Sequence, residues 1–127
     1  MNLINDIKIL YEKIFGKNSE CCYTGPPRCL SKELQESRLL IIEEELYEYQ
    51  IGVEKQDLNE ILDALVDLMV CISGTIYLHG FTEIFPIAWD RVQKANLTKK
   101  HGKTVRNMPC DMEKPDNWKA PYFGDLL

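Results

Sequence analysis

Ile61-Leu62-Asp63-Ala64-Leu65-Val66-Asp67-Leu68-Met69-Val70-Cys71-Ile72 is apolar at every position except its two aspartates. The run is too long for an ordinary strand and has no internal Gly or Pro, so it reads as a helix, continuing from about Asp57 to Leu78. Each helical residue turns the chain by about 100°, so Glu60, Asp63 and Asp67 fall within about 60° of one another on one face. Burying a carboxylate costs on the order of several kcal/mol unless a cation or strong donors compensate it. Three acids on one stripe of an otherwise apolar helix therefore point to a bound cation.

The preceding helix supplies the other half of the pattern. In Ile41–Glu48 (IIEEELYE), Glu45 and Glu48 share a face and Glu44 adjoins Glu48. Only Ile51–Asp57 separates the two helices, which favours an antiparallel hairpin with both acidic stripes turned to one cavity. Four or more carboxylates without histidine favour Mg²⁺, with Mn²⁺ as a substitute, over zinc or copper. A carboxylate-bridged di-iron bundle would need Glu-x-x-His pairs, and neither His79 nor His101 belongs to one. Each part also has a plainer reading: Asp57 and Glu60 as a capping box, Glu43–Glu48 as a solvated face, Asp63 and Asp67 as ion-pair partners.

Periodicity elsewhere predicts an all-α chain. Asn2–Phe15 reads as an amphipathic helix stopped by Gly16, and Lys17–Leu30 as an irregular loop. Ser31 is placed to cap a second helix running to about Gln50, with Gly52 as its stop. Thr82 is placed to cap a fourth, with Pro86 in its first turn and an end near Lys99, and Trp89 is expected in its core face. Beyond Gly102 the Pro-, Asn- and Lys-rich chain predicts an extended arm, with no convincing strand anywhere. The expected architecture is a small four-helix bundle in a single domain, residues 1–127, with its core over 31–100 and its arm over 101–127.

Charge is segregated. Ser31–Val70 holds eleven acids against three bases, a net of −8, while Pro86–Leu127 holds eight bases against five acids, a net of +3. That asymmetry suits a metal with a small polyanion, not nucleic acid. Leu58–Leu78 is long enough to span a bilayer, but Glu60, Asp63 and Asp67 argue against a membrane. Five cysteines, an odd set without Cys-x-x-Cys, and no cationic, apolar leader point to a reducing cytoplasm. Adjacent Cys21 and Cys22, with Cys29 and no nearby His, make a poor structural zinc site.

The order Glu-Glu-x-x-Glu (Glu44, Glu45, Glu48), Glu-x-x-Asp-Ala-Leu-x-Asp (Glu60–Asp67) and Gly74-Thr75 resembles the all-α nucleoside triphosphate pyrophosphohydrolases. More narrowly it is similar to their MazG-like and phosphoribosyl-ATP pyrophosphohydrolase-like branch. Val92–Lys99 corresponds to that branch's Asn-Met-x-Lys segment, and Gly102-Lys103 with Lys114–Pro121 to its Gly-Lys … Lys-Pro-x-x-Trp-x-x-Pro ending. Gln93 departs from the His common among relatives.

The resemblance implies Mg²⁺-dependent hydrolysis of a (deoxy)nucleoside triphosphate to monophosphate and pyrophosphate. It implies Glu45, Glu48, Glu60 and Asp63 as metal ligands, with Glu44 and Asp67 as supporting or second-metal ligands and Glu44 or Glu45 as proton acceptor. Asn96 and Lys99 would face the triphosphate, joined by Lys103, Lys114 and Arg38. Trp118 would close over a base or anchor the arm on a neighbouring subunit. A homodimer or homotetramer is the implied assembly. The same pattern would fit phosphoribosyl-ATP as substrate, or a nucleotide- and metal-binding regulator without turnover.

Overall fold

The computed structural model describes residues 1–127, which divide into two compact units, Met1–Thr82 and Glu83–Leu127. The first holds α1 (Leu3–Phe15), α2 (Lys32–Lys55) and α3 (Leu58–Leu78). The second holds α4 (Phe85–Asn96), two short strands, β1 (Lys100–His101) and β2 (Met112–Glu113), and a terminal 3₁₀ turn, Gly124–Leu126. The all-α expectation stands, with four helices and one minimal sheet.

Helix starts follow local chemistry. Asn2 caps α1 by accepting from the Asn5 amide at 3.1 Å, and Ser31 caps α2 by accepting from the Leu34 amide at 3.3 Å. Asp57 caps α3 through Oδ1, which accepts from the Asn59 and Glu60 amides at 2.9 and 3.2 Å.

Two boundaries differ from expectation. Helix α2 does not stop at Gly52 but continues to Lys55, where Gln56 takes the left-handed conformation that ends it. Thr82 does not cap α4; its N-cap is Ile84, without a side-chain hydrogen bond, and Pro86 lies in the first turn. Trp89, expected in a core face, is 57% exposed.

Gly52 has a packing role instead. It is buried, and a Cβ there would lie 3.0 Å from the Ile61 nitrogen and 3.2 Å from the Glu60 carbonyl carbon, both backbone atoms of α3. The pairings Gly52 with Ile61, Glu45 with Asp67 and Arg38 with Cys71 fix α2 and α3 as antiparallel, since numbers fall on one as they rise on the other. Gly52→Val is expected to destabilise the fold by roughly 1–3 kcal/mol, the scale of overpacking. Gly52→Ala should cost less, because alanine regains up to about 1 kcal/mol of helix propensity. Urea unfolding of both variants checks the order.

Above this hairpin, Ile7 and Tyr11 of α1, Leu30, and Tyr77 and Leu78 of α3 form the buried core. Tyr11 meets Tyr77 edge-on, with ring centroids 5.8 Å apart. The 17–30 loop is fastened to the end of α3. Arg28 Nε donates to the Leu78 carbonyl at 2.9 Å, and the Arg28 amide donates to the His79 carbonyl at 2.9 Å. A guanidinium at a helix C-terminus also offsets the negative end of its dipole. Helix α3 is long and apolar enough to cross a membrane by length and composition alone. Here it is the central helix of its unit, packed on both α1 and α2.

In the second unit the arm is mostly irregular but carries the β1–β2 ladder, antiparallel with Lys100 opposite Glu113, which alternation over two residues cannot signal. Asp111, 5% exposed, holds the connection together by accepting from Thr104 Oγ1, Arg106 and, at 3.0 Å, the Met112 amide. The hydrogen bonds from Thr104 and Arg106 keep its carboxyl below the usual aspartate range. Arg91 of α4 grips both Asp125 oxygens at 2.7 Å, a bidentate pair that fixes the chain end.

Candidate functional site

The α2–α3 hairpin brings the two acidic stripes together. Glu45, Glu48 and Asp67 each offer a carboxylate oxygen, all within 4.8 Å of one another. Glu48 also lines an adjoining cavity of about 130 Å³ with Ile51, Glu60 and Asp63. Five of the six expected carboxylates thus form two contiguous positions that share Glu48. Glu44 is exposed and lies outside both. The capping-box account of Glu60 fails, because its carboxylate pairs with Lys55 at 3.2 Å while the Asp57 amide bonds to Gly52. That ammonium therefore touches an acid of the second position directly, and a lysine just ahead of an N-cap is its visible signal in the sequence.

Glu45 shows that the cluster fits a cation. Its Oε2 is buried and has no hydrogen-bond partner. Burial first, then a proton shared with Glu48 and the charges of Glu48, Asp67 and Asp63, push its carboxyl up to about 6. An orphaned, like-charged oxygen of this kind is costly in the free protein and is relieved by a hard divalent ion. The same neighbours act on Cys71: burial raises its thiol, Arg38 lowers it, and Glu45, Asp67 and Glu44 raise it. It is held as the neutral thiol, a poor nucleophile.

A pH dependence follows. Glu45 binds its proton more tightly folded than unfolded, so metal-free stability falls as pH rises from the ordinary glutamate value of 4.5, and the penalty is complete above about 6. Thermal melts in chelator are expected to show this fall. Glu45→Gln or added Mg²⁺ should flatten it; an unchanged profile in Glu45→Gln would refute the assignment.

Arg38 is occupied elsewhere in this structure. Its guanidinium donates to the Cys71 carbonyl at 2.8 Å and to Thr75 Oγ1 at 3.1 Å, tying α2 to α3. Thr75 Oγ1 in turn donates to Cys71 O at 2.8 Å. The neighbouring Gly74 is buried, and a Cβ there would collide with the Tyr11 hydroxyl and Arg38. The Gly74-Thr75 pair therefore seats these two side chains on α3.

In the second unit, Asn96 ends α4 and its carbonyl accepts from the Lys99 amide at 3.0 Å. Lys99 and Lys114 both lie over the Trp118 ring. Lys103 is exposed in the β1–β2 connection.

An antiparallel helical hairpin with carboxylates converging from both helices defines an all-α protein with a cluster that could hold a metal ion. The family model for phosphoribosyl-ATP pyrophosphohydrolase matches residues 12–96, and the chain belongs to that family. Its reaction is in kind that of a pyrophosphohydrolase, and the family is metal-dependent. The match contains every carboxylate of the cluster and stops at Asn96, before Lys99, Lys103, Lys114 and Trp118. No curated protein and no solved structure matches the chain.

Proposed function

We propose that the protein hydrolyses a (deoxy)nucleoside triphosphate between its α- and β-phosphates with Mg²⁺, releasing the monophosphate and pyrophosphate. The observation that carries this reading is the Glu45–Glu48–Asp67 cluster, with its unpartnered buried oxygen, on the hairpin of a pyrophosphohydrolase family. Glu45, Glu48, Glu60 and Asp63 would hold the cation or cations across the two positions, and Asp67 would close the first beside Glu48. A bound divalent ion would make a water nucleophilic near neutral pH and neutralise the pyrophosphate leaving group. Water oxygen bonds to the α-phosphorus, the bridging P–O bond breaks, and Glu44 or Glu45 accepts the water's proton. Asn96, Lys99, Lys103 and Lys114 bind the phosphate oxygens. The enzyme acts as a homodimer or homotetramer in the cytoplasm and binds neither nucleic acid nor membrane.

A second reading, hydrolysis of phosphoribosyl-ATP, is favoured by the substrate for which the matching family is named. Product analysis separates the two: a panel of ribo- and deoxynucleoside triphosphates plus phosphoribosyl-ATP, with Mg²⁺ or Mn²⁺, resolving pyrophosphate from orthophosphate. Monophosphate with pyrophosphate from a free nucleotide supports the proposal. Turnover of phosphoribosyl-ATP alone selects the second reading. Binding without product makes the protein a nucleotide-binding regulator.

A further inference from the structure

The end of α4 and the Lys114–Trp118 turn meet on one indole. The Trp118 ring N–H donates to the Ala95 carbonyl at 3.1 Å, in the last turn of α4, an oxygen that also accepts from the Thr98 amide at 3.2 Å. Thr98 Oγ1 donates to the same oxygen at 2.6 Å. The Trp118 amide returns to the Pro115 carbonyl at 3.2 Å, closing a turn in which Asn117 adopts a φ of 63°. The indole is therefore held at its polar edge and at its backbone.

Two ammonium groups lie against the ring so fixed, Lys99 Nζ at 5.0 Å and Lys114 Nζ at 4.6 Å from its centroid. Cations are attracted to the negative face of an indole, and Trp offers the strongest such face. Two like charges that would disperse in water are thereby kept no farther apart than the sum of those distances. Neither lysine takes part in an ion pair with a carboxylate. A cavity of about 310 Å³ lies beside the ring, lined by Ala95, Thr98 and the 115–119 turn, with Asp116 and Lys119 in its wall and neither Lys99 nor Lys114. Paired cations that no carboxylate bridges match a chain of phosphates. An indole whose N–H is already engaged and whose ring already carries two ammonium groups is poorly placed to stack on a base.

We infer that Trp118 is a positioning residue that gathers Lys99 and Lys114 into one polyphosphate-binding pair, not a platform for the nucleobase. That this polyphosphate is the substrate's triphosphate rests on the pyrophosphohydrolase reading.

The test is calorimetric titration of inorganic tripolyphosphate into the full chain in EDTA, where no divalent ion links it to the carboxylates. The wild-type chain is expected to bind, and Trp118→Leu, Lys99→Met and Lys114→Met each to weaken binding at least about tenfold. Trp118→Leu combined with Lys114→Met should lose less than the product of the single losses, because the indole acts through the ammonium group. A merely structural tryptophan would give multiplicative losses. Trp118→Phe, which keeps a ring face, should retain about a third or more of the affinity and guards against a Leu variant that fails to fold. No binding by the wild-type chain, unchanged affinity in Trp118→Leu, or multiplicative losses would overturn the inference. A chain that binds tripolyphosphate yet hydrolyses nothing removes the enzymatic reading and leaves this one. Hydrolysis with an unchanged KM in Trp118→Leu does the reverse.

Discussion

Glu48→Gln is expected to lower kcat/KM by roughly 10³-fold, the scale seen when a group organising transition-state charge is removed. Glu48 borders both carboxylate positions, so its loss weakens each at once. The amide keeps the shape of the side chain, and Glu48 is exposed, so the helical fold should persist by circular dichroism. Glu60→Ala or Asp63→Ala should also abolish turnover, each by opening the second position. Glu45→Gln should give comparable loss of turnover but the opposite effect on stability. It removes a buried charge that the metal-free chain cannot compensate, so its melting temperature in chelator at neutral pH should rise above wild type. Loss of activity with gain of stability is the mark of a site held against its own electrostatics. A Glu48→Gln enzyme with undiminished kcat/KM would sink the placement of the centre on this hairpin.

What was readable in advance divides along a physical line. Helical spacing fixes which face a residue occupies, so Glu45, Glu48, Glu60, Asp63 and Asp67 were legible as converging carboxylates. Helix caps were legible where a side chain makes the bond, at Ser31 and Asp57. Spacing does not report how closely two helices approach, so Gly52 looked like a stop although it is the point where α2 meets the α3 backbone. Nor does it report what a cation bonds across a helix pair: Arg38 lies on α2, and only the structure shows its bonds to Cys71 and Thr75 of α3. The partition among the acids was likewise hidden, because Asp67 joins Glu45 and Glu48 through the register of α3 on α2. In the arm, the β1–β2 ladder and the Trp118 contacts depend on side-chain bonds between distant residues, which no local period encodes.

The faces of α2 and α3 left uncovered within the chain lead to the second large expected effect. Leu39, Leu46 and Val53 recur at seven-residue intervals along α2, and all are exposed, Leu46 at 55%. On α3, Leu58, Leu62, Val66 and Met69 form a matching exposed row, with Leu62 at 65%. Isolated exposed leucines are ordinary, but two parallel rows on one hairpin form a contiguous apolar surface of the kind that marks an interface. A second copy of the chain is the occupant the family resemblance implies, and a two-fold pairing would let each hairpin cover the other. In such an interface every substitution acts twice. Burial of a leucine contributes about 1.5–3 kcal/mol, so Leu46→Glu or Leu62→Glu removes roughly twice that and should weaken association by about 10²–10⁴-fold. Sedimentation velocity at micromolar protein is expected to show an oligomer for the wild-type chain and a monomer for either variant. The monomer should also melt at lower temperature, since its apolar rows return to water. Ser37→Glu, which adds the same charge on the face of α2 opposite the row without removing an apolar group, is the control and should leave the assembly intact. A wild-type chain that sediments as a monomer would mean these rows face some other surface, and the assembly proposed for the enzyme would fall with them.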